Sequence, residues 1–340
     1  MRIIRVSVVQ STAESTMNPM PKYLLAVIFL ASLYPDSKVA ALTIEFDYTY
    51  DTRGFFTDEI TGAPIQNRRA ILEAAGSVFS SFTDNLSAIN PGAGDSWQVT
   101  ITHPSLDGAP VTLVNEIIPA DTLRIFVGGS PLGPGVLGFA GSGGQLSATG
   151  SSAFVDAVNT RGQGVTSGAT ATDTAPWGGY IWFNSFHNWY FDIDPIGLTT
   201  GNPDFLTTAT HEIAHILGIG DSDAWAALVN NNQFFGSASM SLHGGPVDLD
   251  PFNSHWAEGT LSVVDGIVQE TLLDPSTPAG ERQLMTALDF AALQDIGWEV
   301  PSAPQGTPVP IGSIPLVFST ILLALGGGRA LGVEFNARIA

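Results

Sequence analysis

The sequence predicts an α+β protein: a twisted mixed sheet carrying two long helices. Three patterns point there. Short alternating segments recur through the first 130 residues, an amphipathic helical stretch separates them, and two further helical segments follow in the second half. Strands and helices are not in regular βα alternation, which argues against a doubly wound parallel sheet.

Residues 42–50 (LTIEFDYTY) place Leu42, Ile44, Phe46, Tyr48 and Tyr50 on one face, the mark of a half-buried strand. Residues 68–85 set Ile71, Ala75, Val78, Phe79 and Phe82 at helical spacing, an amphipathic helix. Residues 97–103 (WQVTITH) alternate again, and 123–127 (LRIFV) form a shorter strand. Residues 128–176 are rich in Gly, Ser, Thr and Ala. They are too long for an idle connection and read as a loop region beside a functional surface, with a short helix near 153–158. Residues 177–183 (WGGYIWF) read as a strand just ahead of the chemistry.

Composition excludes several function classes. The chain has 340 residues, 32 acidic against 12 basic side chains, and no cysteine. Without cysteine there is no disulfide, thiolate metal site or thiol nucleophile, so any metal must use His, Asp or Glu. A formal charge of −20 argues against nucleic acid and anionic membrane surfaces, because phosphate binding needs Lys and Arg.

Both ends read as processing or targeting segments. Lys22 precedes the apolar run 23–34 (YLLAVIFLASLY), too short for a comfortable span and right for a signal-peptide core. Val39-Ala40-Ala41 offers small residues for cleavage after Ala41, so residues 1–41 are expected to be a leader, with Met17 or Met20 as candidate starts. Residues 301–310 (PSAPQGTPVP) are a Pro-rich linker, and 311–340 an apolar C-terminal segment. Val309-Pro310 and Arg329 give that tail a resemblance to the sorting signals of Gram-negative surface proteins, with plain membrane anchoring as the alternative. An exported protein at or outside the envelope is therefore expected. Between residues 42 and 310 there are 29 acids, 6 arginines and no lysine, a net of −23. Bound calcium is a plausible supplement for such an acidic exported chain.

The chemistry concentrates in residues 206–221 (LTTATHEIAHILGIGD). Asp204 follows Pro203 and suits a helix N-cap. Leu206, Ala209, Ile213 and Ile216 lie on one helical face. His211 and His215, four apart, project together from the opposite one, which brings two imidazoles to one metal. Glu212 between them can hold a water without filling the metal's coordination shell. Gly218 supplies a left-handed residue that ends the helix.

This pattern resembles the metzincin metalloproteases, whose motif is HExxHxxG followed by a third ligand. The resemblance covers residues 177–298 and is nearest the leishmanolysin-like layout, in which an insertion separates the glycine from a third histidine followed by Trp. It implies a metzincin-like fold over residues 42–300, with an N-terminal subdomain 42–218 and a C-terminal subdomain 219–300. It also implies zinc, peptide hydrolysis with Glu212 as general base, and a strand at 177–183 running antiparallel to substrate. Gly179, Tyr180 and Trp182 would then contact the peptide. The third ligand is His255, in Ser254-His255-Trp256, with Asp221 as the alternative; a neutral imidazole is the commoner zinc donor. Leu272-Leu273-Asp274-Pro275 stands where relatives read Leu-Met-Asp-Pro, so Leu273 replaces the methionine of the Met-turn. Residues 286–298 (TALDFAALQDIGW) are the closing helix, with a capping-box pattern at Thr286 and Asp289 and a stop at Gly297.

The expected function is thus a zinc endopeptidase acting on a protein or peptide, and a monomer is expected. The second reading is a zinc-stabilised cell-surface or matrix protein without hydrolysis, favoured by Leu273 and opposed by Glu212. Three histidines fall outside the set: His103 as a strand-end residue, His187 as a structural residue near the strand 177–183, and His243 in a loop. Asp192 with Asp194, and Asp248 with Asp250, read as solvated loop carboxylates, with calcium binding the alternative for each pair.

Overall fold

The structure, a computed structural model, describes residues 41–133 and 135–301. Apart from the border residues Ala41 and Pro301, the expected leader, linker and C-terminal tail lie outside the described residues. Among the described residues no helix is long and apolar enough to cross a membrane.

The chain is mixed α+β. Its elements run β1 (Thr43–Asp47), α1 (Gln66–Ser77), β2 (Ser96–Thr102), β3 (Pro110–Val114), β4 (Thr122–Ser130), β5 (Gly138–Gly141), β6 (Gly144–Thr149), α2 (Ser152–Thr160), β7 (Gly178–Asn184) and α3 (Phe205–Ile216). After α3 come α4 (Asp223–Ala227), β8 (Val229–Asn230), β9 (Gln233–Phe234), α5 (Ser237–His243), β10 (Val247–Asp248), β11 (Leu261–Val264), β12 (Ile267–Glu270) and α6 (Ala287–Asp295). The main sheet has the order β1-β4-β7-β5, with β1, β4 and β7 parallel and β5 antiparallel to β7. A second, antiparallel sheet has the order β3-β2-β6. Two smaller sheets, β10-β9-β8 and the β11-β12 hairpin, lie in the second half. The hairpin turns on Asp265-Gly266, both at positive φ, as a two-residue turn of this twist requires.

Alternation along β4 and β7 builds a core on each face of the main sheet. Leu123, Ile125, Val127, Ile181 and Phe183 pack with Leu72, Ala75 and Phe79 from the α1 side and Ala209, Ile213 and Ile216 of α3. Phe126, Trp177 and Tyr180 face the other way, against Trp97, Val99 and Ile101 of β2 and Phe154 and Val158 of α2. The sheet therefore lies between helices on one side and the second sheet with α2 on the other.

Three expectations need correction. The helix expected over 68–85 ends at Ser77. Beyond it Val78, Phe79, Ser80 and Phe82 donate to carbonyls three residues back, and the Ser77 and Ser80 hydroxyls also donate three residues back, which favours tight turns over a continued helix. Phe79 and Phe82 remain fully buried. The stretch 128–176 is not a loop with one helix: it continues β4 and contains β5 and β6 beside the expected α2. Arg161, left-handed at φ 50 and fully buried, ties its end to the sheet by donating to the carbonyls of Ser87, Pro119, Thr122 and Pro176. Third, 177–183 is not an edge strand. β7 is paired on both sides, and β5 is the edge.

The segment after α6 is held by Asp84, whose two oxygens each accept the Glu299 amide at 3.1 Å. Burial, with Glu299 and Asp173 nearby, pushes Asp84 up to about 6. A carboxyl raised on folding lends stability below its unfolded pKa and loses it as pH rises through the folded one, here from about 4 to about 6. Asp84→Asn keeps an acceptor for the amide and removes that loss. Its gain over the wild type in urea unfolding is expected to grow from near zero at pH 4 to at most about 3 kcal/mol at pH 7.5. An equal difference at both pH values would contradict this account.

Candidate metal centre

α3 is fixed at both ends before any ligand is placed. Asp204 caps it, accepting from the Thr207 amide at 3.1 Å and the Thr207 hydroxyl at 2.7 Å. Arg282 grips the same carboxylate, Nε to Oδ2 at 2.8 Å and Nη2 to Oδ1 at 2.7 Å, in a pair whose Asp204 partner is fully buried. Gln283 adds its amide to the Thr207 hydroxyl at 3.0 Å. The segment before α6 thus buttresses the helix that carries the histidines. At the far end Gly218 has φ +108, and a Cβ there would stand 2.7 Å from Thr174 Cγ2. This glycine turn folds the Ile219 carbonyl back onto His215.

His211, His215 and His255 converge. The Nε2 of His215 lies 3.1 Å from that of His211 and 3.1 Å from that of His255. Among the described residues they form the one cluster of three His, Cys, Asp or Glu donors placed to hold a metal ion. His211 Nδ1 donates to Leu272 O at 2.7 Å and His215 Nδ1 to Ile219 O at 2.8 Å, because a carbonyl only accepts. In the neutral rings the Nε2 atoms are then unprotonated, and their lone pairs face one another. Such a pair repels unless a cation lies between. Burial and the two neighbouring imidazoles push His211 well below the usual histidine range, and burial with His255 lowers His215 to about 4. Neutral rings are the metal-binding form.

Glu212 opens on the same cleft, a space of about 650 Å³ lined by the three histidines, residues 135–140 and residues 275–277. No described residue donates to its carboxyl, and burial alone raises it to about 8. Gly138 of β5 lies against it: a Cβ there would stand 2.6 Å from Glu212 Oε1. β5 pairs with β7 through one edge, and its other edge carries no strand among the described residues.

His255 comes from a loop reached only after β10, its neighbour Trp256 fully buried. Leu273 is also fully buried, and its turn supports the centre through its backbone. Leu272 O accepts from His211 Nδ1, and Leu273 O accepts from the Trp256 amide at 3.0 Å. The side chain at 273 contributes packing, which Leu supplies as well as Met. Asp289, fully buried in the capping box of α6, accepts from Trp256 Nε1 at 2.9 Å, Leu272 N at 2.9 Å and Leu273 N at 3.3 Å.

The remaining expected residues are placed elsewhere. Asp221 lies on the turn after α3, in the cleft wall but outside the three-donor cluster. Gly179 faces α3, where a Cβ would stand 3.1 Å from Ile216, so it serves close packing of helix on sheet. Tyr180 belongs to the core on the opposite side of the sheet, and none of Gly179, Tyr180 and Trp182 lines the cleft. β7 is interior, and its even-numbered side chains point away from α3. His187 lines the cleft. His103 ends β2, its Nδ1 accepting from the Ser105 amide at 3.1 Å. Asp194 caps a short 3₁₀ turn and Asp248 accepts from Gln233 Nε2 at 2.8 Å, so neither aspartate pair assembles a three-donor cluster.

Sequence reasoning missed Gly138, because Gly-Phe-Ala-Gly carries no strand signal, and the reach of Asp289, whose capping-box role alone was legible. No family model, curated protein or solved structure matches the chain.

Proposed function

We propose that the chain is a zinc-dependent endopeptidase of metzincin type, with His211, His215 and His255 holding the ion and Glu212 as general base. One observation carries this reading: three converging imidazole Nε2 atoms and an unpartnered carboxyl share one cleft beside a strand edge that pairs with no other strand among the described residues. Zinc at about 2.0–2.1 Å from imidazole nitrogens in tetrahedral geometry spaces them roughly 3.3 Å apart, close to the spacing found here. When bound, zinc lowers the pKa of water towards ~7 and polarises a carbonyl. Glu212 would take a proton from the attacking water and return it to the departing amine. The peptide adds as an antiparallel strand to the outer edge of β5, which replaces 177–183 in that role.

The test is metal analysis of the full chain and digestion of casein with and without chelator. About one zinc per chain, with digestion lost on chelation and restored by zinc, is the expected result. Zinc binding without digestion would return the protein to the non-catalytic, zinc-stabilised class. Export and action at or outside the envelope remain part of the proposal, tested by fractionating cells that express the full chain. Gly138→Ala probes the geometry further. Its Cβ must displace Glu212 or β5, so hydrolysis is expected to fall roughly 10- to 100-fold at unchanged zinc content. Wild-type rates would place the peptide elsewhere.

A further inference from the structure

His211 and His215 each direct Nδ1 at a backbone carbonyl, but His255 does not. Its Nδ1 is buried and has no hydrogen-bond partner, and the Oδ2 of Asp250 stands 3.6 Å away. That gap is a few tenths of an ångström beyond a hydrogen bond. Asp250 is 6% exposed, so its carboxylate is withheld from water. Its other oxygen is committed to the loop: Oδ1 accepts from Ser254 N at 2.7 Å and His255 N at 3.1 Å. The backbone closes the same ring, Asp250 N to His255 O at 3.0 Å and Asn253 N to Asp250 O at 3.0 Å, with Asn253 left-handed at φ 59. Asn232 Nδ2 holds the Asp250 carbonyl at 3.3 Å from outside. Every polar group of this six-residue loop that touches Asp250 keeps Oδ2 facing the ring.

We propose that Asp250 is a positioning residue for the third ligand, its Oδ2 accepting from Nδ1 of His255 so that Nε2 is left bare and aimed at the ion. The proposal rests on the reading that the three histidines hold a metal. It makes the three ligands unequal: two are backed by neutral carbonyls and one by a carboxylate, which makes that imidazole the more basic donor. It also gives Asp250 a role other than the calcium pairing with Asp248.

The test uses the full chain with zinc alone and with cobalt(II) alone. Asp250→Asn keeps an oxygen for the Ser254 and His255 amides but presents an NH₂ to Nδ1. That favours the tautomer with the proton on Nε2, which cannot bind metal. Zinc affinity by chelator competition is expected to fall 10- to 100-fold, with a changed cobalt visible spectrum and an unchanged far-ultraviolet circular dichroism of the metal-free form. Wild-type affinity and spectrum in that variant would overturn the assignment while leaving the metal centre standing. No zinc binding by the wild type would overturn both. Should Asp250→Asn fail to fold, nitrogen-15 spectra of the zinc-loaded wild type decide: a protected, strongly deshielded Nδ1 proton on His255 supports the role, and one that exchanges freely overturns it.

Discussion

Glu212→Gln is expected to keep its zinc and lose hydrolysis by about 10²- to 10⁴-fold, the range that general acid–base catalysis supplies. The substitution is nearly isosteric, and no described residue donates to the carboxyl, so no protein hydrogen bond is broken. His211 and His215 keep their outer partners, Leu272 O and Ile219 O. What disappears is the ability to take a proton from water and hand it to the leaving amine. Stability is expected to move the other way. Burial raises Glu212 from 4.5 to about 8, so its contribution to folding is complete below about 4.5 and lost as pH rises through about 8. The amide carries no such loss, and the metal-free variant at pH 8.5 is expected to melt at or above the wild type. Hydrolysis within tenfold of wild type would remove Glu212 from the mechanism. A large drop in melting temperature would show that its carboxyl has a partner.

The parts of this site differ in how far the sequence discloses them. α3 was legible because four local signals agree on it: the Asp204 cap, the apolar face, the four-residue spacing of the histidines and the glycine stop. Each acts within about one helical turn, where residue spacing translates directly into geometry. The position of His255 forty residues after His215 has no such translation, and it was reached through the metzincin resemblance and donor chemistry. β5 was invisible because three of its four residues, Gly138, Ala140 and Gly141, disfavour strands; it is a strand because β7 offers it a ladder. The same long-range fact hid which strand forms the edge. In hindsight the nearly continuous apolar run of β7 pointed to an interior strand, since a strand buried on both faces loses its alternation.

Asp289→Ala is expected to cost about 3–5 kcal/mol of stability, the range for breaking a buried charged network. Its carboxylate is fully buried and accepts five hydrogen bonds, from Thr286 N and Oγ1, Leu272 N, Leu273 N and Trp256 Nε1. Removing it strands donors that water cannot reach, each worth about 1–3 kcal/mol when left unpaired. Urea unfolding reads the loss as a lower midpoint at constant slope. The second consequence distinguishes this aspartate from an ordinary helix cap. Leu272 holds the Nδ1 of His211, and Trp256 adjoins His255, so two of the three ligands are placed through segments that Asp289 pins to α6. Zinc affinity is therefore expected to fall together with stability, although α6 supplies no ligand. A variant with the stability loss but wild-type zinc affinity would confine Asp289 to capping. A variant losing less than about 1 kcal/mol would mean the five donors find other partners. α6 is then best understood as the brace of the candidate metal centre: it reaches His211 and His255 through one buried carboxylate, as Arg282 reaches α3 through Asp204.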